Sequence, residues 1–332
     1  MRKYFRWLLT LLLVMGLGLA GCGIKTSDSV VKELDHVSKS LTSYKSTAMM
    51  SVKMQNSIQK YYIETWYQAP DEYRIALGNE NKEISQVIVK NKEGIFIVSP
   101  QLKKTFRFKG EWAENQGHIY LYHSVIHRIL DSKDKHYSSG DGYVAFDMPM
   151  NPENPLVARQ KIELDAKTLY PKQVILLDRK DTPIVTVQYD SFKTGVSFDK
   201  DAFDPQKALA LAQNSDVAVM AGSKDFGVVE PAYLPIGTKK LAQDTETDHT
   251  ILIRYAGQHP LTLVEERPAP KESVLTSGTL YDIYGLPIIL TGTNDARTMY
   301  WLNHNVQYSL SSSMPIGEME KVAASTMASV GK

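Results

Sequence analysis

Hydrophobic and polar residues alternate with a period of two along most of the first two hundred residues, a pattern that predicts β-strands with one buried face. The first predicted strands are residues 44–54, 59–68, 73–77, 85–90, 94–98 and 104–109. Turn residues such as Ala69-Pro70-Asp71-Glu72 separate them. No predicted helix between these strands is long enough to connect parallel neighbours, so we predict an antiparallel meander.

Two helices accompany this meander. Apolar residues at spacings of three and four, from Val30 to Leu41, predict a first helix that Asp28 and Ser29 can cap. A second helix is predicted at 119–130, after which strands resume at 137–139, 143–147, 157–165, 171–178 and 183–192. The order of elements predicts an α+β fold, in which a strongly curved antiparallel β-sheet forms a half-barrel with helices on its concave face.

The pattern changes after a short predicted helix at 206–213, which Asp204-Pro205 opens. A small, polar stretch then predicts a linker at 214–225. Further strands are predicted at 250–255, 261–266, 279–283, 288–291, 298–302 and 306–311, followed by a helix from Pro315 to about residue 330. We therefore predict a first domain at residues 30–213 and a small α+β C-terminal domain at residues 226–332.

The amino terminus has the three parts of a bacterial signal peptide. Arg2, Lys3 and Arg6 precede an apolar run at 7–20, which is shorter than the roughly 20 residues of a membrane-spanning helix. Leu19-Ala20-Gly21-Cys22 resembles a lipobox. This resemblance implies cleavage of residues 1–21, attachment of diacylglycerol and possible further N-acylation (palmitate, for example) at Cys22, and a tether at residues 22–29. The expected location is the extracytoplasmic face of the cell membrane, with the protein held by its lipid.

Charge and cysteine content narrow the class of protein. Removal of residues 1–21 would change the formal net charge from +1 to about −2, which argues against nucleic acid as a partner. Cys22 is the one cysteine of the sequence, so the chain can form no internal disulfide. We therefore expect apolar cores to supply its stability.

The sequence lacks the common catalytic motifs. It has no Gly-x-Ser-x-Gly elbow and no His-Glu-x-x-His motif. His123 and His127 have a spacing that can hold a metal on a helix, but no carboxylate motif completes a site, so we interpret them as surface histidines. We predict no enzyme activity, no metal and no cofactor other than the covalent lipid.

A set of aromatic and methionine side chains is the candidate for binding a hydrophobic ligand. Its members lie on predicted strands and can either pack the core or line a pocket on the concave face. They are Met49, Met54, Trp66, Tyr73, Phe96, Phe106 and Phe108.

Several segments resemble the LolA-like lipoprotein superfamily. They are the hairpin 165–174, the strand 185–192 and Phe203-Asp204-Pro205. Within that superfamily, the segments 61–67, 70–74, 99–108 and 120–122 are similar to the YdcC-type sporulation-associated lipoproteins of endospore-forming bacteria. The resemblance implies an unclosed barrel lined with apolar residues at 30–213.

The resemblance and the expected anchor together indicate a function. We expect a membrane-anchored, non-enzymatic binding or partner protein of cell-envelope biogenesis during sporulation. Its expected partners are a hydrophobic ligand or an envelope or spore-cortex protein. The alternative is a carrier or chaperone for acyl lipids or lipoproteins that uses the apolar concave face. A lipid anchor departs from the pattern of soluble carriers.

Overall fold

The structure is a computed structural model that describes residues 25–53, 58–100, 104–109, 118–152, 154–214, 227–247, 249–267, 275–293, 295–303 and 306–327. Within these ranges, four helices and nineteen strands form an α+β fold with two mostly antiparallel, curved sheets. The predicted fold class is thus confirmed. The predicted signal peptide, Cys22 and nearly all of the linker lie outside the described residues, and the domain boundaries stay a prediction.

The first sheet has twelve strands within the described ranges. Eleven of them come from the amino-terminal part: β1 Ser43–Lys53, β2 Ile58–Gln68, β3 Glu72–Asn79, β4 Ile84–Asn91, β5 Gly94–Ser99, β6 Lys104–Lys109, β7 His136–Gly140, β8 Tyr143–Pro149, β9 Arg159–Asp165, β10 Pro171–Leu177 and β11 Pro183–Thr194. These eleven strands pair antiparallel with one another, and β1 joins the two meanders by pairing with both β2 and β11.

Two helices cover the concave face of this sheet. Helix α1 spans Ser27–Ser40 and helix α2 spans Tyr122–Asp131, and the two helices contact each other. Val30 and Leu34 of α1 are buried in the same core as Val125 and Ile129 of α2. The cap of α1 is Thr26, whose Oγ1 accepts the Ser29 backbone N–H at 3.3 Å, so the predicted cap at Asp28 and Ser29 is wrong by two residues.

A third helix lies on the opposite face of the sheet. Helix α3 spans Pro205–Asn214 and contacts β4 and β5. Ala208 of α3 and Phe203 pack there against Val87 and Phe96 in a second, smaller core. The prediction of concave-face helices, made for the first two helices, is therefore confirmed for α1 and α2, whereas α3 covers the other face of the sheet.

The second sheet has seven strands within the described ranges. These are β12 Lys239–Thr247, β13 Thr250–Ala256, β14 Leu261–Glu266, β16 Thr279–Ile283, β17 Leu286–Thr293, β18 Ala296–Asn303 and β19 Val306–Ser312. Helix α4, Ile316–Met327, contacts β18 and β19 and buries Met319 and Val322 in the core that also contains Leu263.

One short strand crosses from the second sheet to the first. Strand β15, Leu275–Ser277, pairs in parallel with β6 at the edge of the twelve-stranded sheet. After Gly278, the chain continues as β16 in the other sheet. A Cβ atom at Gly278 would lie 2.9 Å from both Ile289 Cγ2 and the Leu290 carbonyl oxygen. The crossing therefore requires glycine because the chain passes too close to β17 for a side chain.

Candidate functional site

The concave face of the first sheet is the candidate site, because the sequence places its apolar lining there. Along β1, Tyr44, Ala48 and Met50 belong to the main core, whereas alternate residues such as Met49 lie only half-buried on the other face. This alternation follows from the period of two in a strand.

Part of this face is filled by tyrosines packed under α2. The Tyr44 ring stacks on Tyr67 with centroids 5.3 Å apart and on Phe192 at 5.0 Å. The Tyr44 hydroxyl accepts the backbone N–H of Tyr122 at 3.2 Å, and the Tyr122 hydroxyl donates to the Leu169 carbonyl at 2.9 Å. Burial raises the pKa of both tyrosines. Because both hydroxyls have partners, these rings form a satisfied core that fixes α2 to the sheet.

His123 belongs to this packed cluster and is half-buried. Its ring lies 4.3 Å from that of Tyr67, and burial lowers its pKa to about 4. His127, one turn later, is exposed, and its Nε2 lies 3.5 Å from Ser38 Oγ. The interpretation of both histidines as surface residues thus fits His127, whereas His123 is only partly exposed because the tyrosines beneath the amino-terminal end of α2 pack against it.

A charged network lies on the opposite face of the same strands. Arg74 is buried, and its guanidinium carbon lies 4.4 Å from the centroid of the Trp66 ring. Glu64 pairs with Arg74 at 3.1 Å and with Lys45 at 3.0 Å. Phe198 stacks on Trp66 at 5.3 Å. The ionic and cation–π contacts support Trp66, and its stacking on Phe198 holds the segment that leads into α3 against the sheet.

The second sheet contains a buried acid. Glu265 is fully buried, and its Oε1 accepts the backbone N–H of Val229 at 2.7 Å. Its other carboxyl oxygen is buried without a protein partner in the part of the chain that the structure describes. Burial raises the pKa of Glu265 to about 7, although the bond from Val229 opposes the shift. The carboxyl group therefore titrates near neutral pH while it holds the segment that enters the second sheet.

The structure divides the predicted ligand set between two faces. Tyr73 and Phe106 contact the main core on the concave face, whereas Trp66 and Phe96 pack in the second core with α3. Met49 lies on the same side as Trp66, because its neighbour Met50 takes the concave position. The expectation of one common lining is therefore wrong for these three residues.

Two members of the set are not placed. Met54 lies outside the described residues, and of Phe108 only the backbone, paired with Ile95 in the sheet, is described. A role of the whole set in binding a hydrophobic ligand stays a prediction.

Sequence reasoning missed Arg74 and Glu265. Arg74 lies within 73–77, where the other residues are apolar, and 87–89 are apolar as well. Consecutive apolar residues in a strand indicate that both faces of the sheet are buried, which predicts an element that covers the outer face. Glu265 shares its strand parity with the apolar Leu261 and Leu263, which predicts an inward side chain.

Within the described ranges, no group of three or more His, Cys, Asp or Glu side chains is arranged to hold a metal ion. Among the helices within those ranges, none combines the length and apolar character needed to cross a membrane.

Comparison with known proteins gives one family and one long match. A family model described as sporulation protein YdcC-like matches residues 2–203. The sporulation protein YdcC of Bacillus subtilis (strain 168) is 33% identical over 319 residues, which cover 94% of this chain and 93% of the relative.

Solved structures give weaker similarities. A crystal structure of MucB is 15% identical and covers 91% of this chain and 98% of its own, with a TM-score of 0.35. A LolA superfamily protein from Nitrosomonas europaea is 10% identical and covers 54% of this chain and 97% of its own, with a TM-score of 0.29. TM-scores of this size are too low to establish a shared function. The sequence matches are decisive, and by them the chain belongs to the YdcC-like family of sporulation proteins.

Proposed function

We propose that this protein is a membrane-anchored, non-enzymatic lipoprotein that acts as a binding or partner protein in cell-envelope biogenesis during sporulation. The observation that carries the proposal is the match to the B. subtilis sporulation protein over nearly the whole of both chains. The lipobox-like segment at Cys22 supports the anchor. The anchor would hold the body at the outer face of the membrane, where envelope and spore-cortex proteins are the available partners.

The filled concave face supports a partner role over carriage of a lipid. Tyr44 and Tyr122 have no exposed surface, and together with Phe192 they occupy the place where an acyl chain would have to enter beneath α2. A carrier of the alternative kind needs a cavity there. Partner binding instead uses the outer surface and leaves this core intact.

The anchor has a direct test. Metabolic labelling with a radioactive or clickable fatty acid is expected to mark the wild-type chain and to fail with Cys22→Ala, which should also accumulate as uncleaved precursor. The substitution Ser29→Ala, in the first turn of α1, is the control and should label normally. Labelling of Cys22→Ala would refute the lipoprotein proposal.

The function is tested in sporulating cells. Deletion of the gene is expected to yield spores with altered envelope or cortex, and the wild-type gene should restore them. Normal spores from the deletion strain would overturn the proposed role. Native mass spectrometry of the full chain, purified from membranes in detergent, addresses the alternative, because one non-covalent lipid per protein would favour a carrier.

A further inference from the structure

The amino-terminal end of the second sheet displays two apolar side chains to solvent. Ile236 is fully exposed and Leu241 is 71% exposed, and they are two of the four large apolar residues that are exposed in the described ranges. Apolar residues scattered singly over a surface need no explanation. These two lie five positions apart in one segment, and we call them the apolar tip.

A tight turn holds Ile236 in this exposed position. The Pro235 carbonyl oxygen accepts the backbone N–H of Thr238 at 3.0 Å. Gly237, the third residue of the turn, has a φ of 83°, a conformation that favours glycine. The turn also packs against its neighbour, because a Cβ atom at Gly257, after β13, would lie 3.2 Å from Thr238 Cα. The fold therefore fixes the place of Ile236.

A β-bulge accounts for the exposure of Leu241. Lys240 and Ala242 pair with consecutive residues of β13, so Leu241 is the extra residue between them. Bulges and lysines on an edge strand hinder pairing with a foreign strand, and β12 has both, with lysines at 239 and 240. This edge is therefore poorly suited to a partner that would add a β-strand.

The surface around Ile236 carries little charge. The two adjoining turns, 235–238 and 256–260, contain no Asp, Glu, Lys or Arg, and their one titratable side chain is His259. Lys239 and Lys240 follow directly. Glu230 pairs with Lys240 at 2.5 Å, whereas Lys239 has no acidic partner within the described residues. An apolar tip with an excess of positive charge at its side is typical of a segment that contacts anionic lipid.

The end of the second sheet that carries the apolar tip also contacts the first sheet. Ser312, at the end of β19, donates through its Oγ to the Pro260 carbonyl at 2.8 Å, in the connection beside the Ile236 turn. Helix α4 begins four residues later. A Cβ atom at Gly317 in its first turn would lie 3.4 Å from Pro155 Cγ, in the loop that follows β8.

The predicted tether reaches the same end of the first sheet. Strand β7 pairs with β8, and the second residue of β7 is Tyr137. Its hydroxyl donates to the backbone carbonyl of Lys25, which is three residues after Cys22. The tether and the end of the second sheet that carries the apolar tip therefore both meet the first sheet where β7 begins and β8 ends.

A bilayer fits the apolar tip better than a protein partner does. A specific protein interface buries about 800 Å² on each side around an apolar core. Here ion pairs flank the two apolar side chains, Glu230 with Lys240 and Asp244 with Arg254. A chain that a lipid already holds at the membrane has a high effective concentration there, so a small apolar contact is sufficient.

We propose that Ile236 and Leu241 insert among the headgroups of an anionic membrane, with Lys239 and Lys240 at the lipid phosphates. This contact would fix the orientation of the protein on the membrane to which Cys22 tethers it. The proposal rests on the anchor proposed above and adds a second membrane contact. It leaves the outer face of the first sheet available for a protein partner.

The first test uses the fact that Cys22 is the one cysteine of the sequence. With Cys22 acylated, Ile236→Cys supplies the one free thiol of the full chain. The chain is purified from membranes in detergent, coupled to the environment-sensitive dye NBD and reconstituted into vesicles of equal parts phosphatidylglycerol and phosphatidylcholine. The emission of the dye should shift to the blue, and lipids with brominated acyl chains should quench it at least twofold.

Lys167→Cys is the control, because Lys167 is exposed in the β9–β10 turn at the opposite end of the first sheet. Its dye should keep the emission of a dye in water, and wild type serves as the blank. Equal emission and quenching at 236 and 167 would overturn the membrane contact. A blue shift at 236 that requires added envelope proteins and is absent on the vesicles would indicate a protein partner and would also overturn it.

The second test places the dye on Leu241→Cys. Ile236→Asp should then reduce quenching at least twofold, because a carboxylate at the tip opposes insertion, whereas Leu211→Asp, at an exposed apolar residue of α3, should not. Lys239→Gln should reduce quenching on vesicles with phosphatidylglycerol. Quenching that is equal with and without phosphatidylglycerol would refute the contact with anionic lipid.

The anchor and the apolar tip can fail separately. A chain that incorporates fatty acid but keeps the dye at position 236 in water would refute the membrane contact and retain the anchor. Dye uptake by wild type would show a free Cys22 and refute the anchor, whereas quenching at 236 above that blank would still support the membrane contact.

Discussion

The substitution Glu265→Gln tests whether a buried carboxyl group controls the stability of the second sheet. Glutamine keeps an oxygen that can accept the Val229 N–H, but it stays uncharged at every pH. In the wild type, burial raises the pKa of Glu265 from 4.5 to about 7. The folded state therefore binds a proton that the unfolded state has released, and its contribution to stability is full below pH 4.5 and lost as the pH rises through 7.

The size of the effect follows from these two values. One pKa unit corresponds to about 1.4 kcal/mol, and integration between pH 5 and pH 8 gives a loss of about 2.5 kcal/mol in wild-type stability. Glutamine removes this loss, although the unpaired amide group adds a penalty that does not vary with pH. The stability of Glu265→Gln relative to wild type should therefore improve by about 2.5 kcal/mol from pH 5 to pH 8.

The assay is urea unfolding at pH 5, 6, 7 and 8, followed by hydrogen exchange of residues 250–266, which reports on the second sheet. Taking the difference between variant and wild type cancels the titration of other groups. Glu266→Gln is the matched control, since Glu266 is the next residue and faces the other way. A difference between Glu265→Gln and wild type that is the same at pH 5 and pH 8 would refute the reasoning.

Three further predictions concern other parts of the molecule. His123→Phe should stabilise the chain by up to about 2 kcal/mol at pH 5 and by less at pH 8, as measured by urea unfolding. Because the pKa of His123 is lowered in the folded state, the wild type loses stability as the pH falls below about 6.5. His127→Phe should not give this stabilisation. Arg74→Met should lower the free energy of unfolding by about 2 kcal/mol in the same assay, whereas Lys60→Met, at an exposed ion pair, should change it by near zero. Equal losses in the two variants would contradict a structural role of Arg74. Gly278→Val should accelerate hydrogen exchange of 275–277 more than tenfold, and unchanged protection would show that the crossing tolerates a side chain.

Strand positions could be predicted from the sequence because the alternation of β1 to β11 is regular, but the face of each side chain could not always be assigned. Met49 and Met50 are adjacent and equally apolar, so a shift of one residue exchanges the inside for the outside. Phe96 is buried on the outer face because α3 covers it, and Trp66 is half-buried there beside Phe198. The length of α3 was predicted, whereas its docking depends on contacts across more than a hundred residues.

The buried contact of His118 with Asp282, 3.4 Å between Nδ1 and Oδ2, was beyond sequence reasoning for a related cause. His118 precedes α2, which covers the first sheet, whereas Asp282 belongs to β16 of the second sheet, so the two meet only in the folded chain. The residues around each of them show no sequence pattern that predicts the contact. The tyrosine in the turn between β16 and β17 is a weak signal at best, since Tyr284-Gly285 departs from the asparagine and glycine that such turns favour.

The crossing strand also sets the order in which the protein can be completed. Leu275 pairs with Arg107, 168 residues earlier in the chain. Because synthesis proceeds from the amino terminus, β6 leaves the ribosome long before the segment that will pair with it. Until residues 275–277 arrive, the edge of the first sheet presents free backbone N–H and carbonyl groups, the kind of edge that recruits foreign strands. The need for chaperones should therefore be greatest while this edge is unpaired. Chains truncated before residue 275 should aggregate through the same edge.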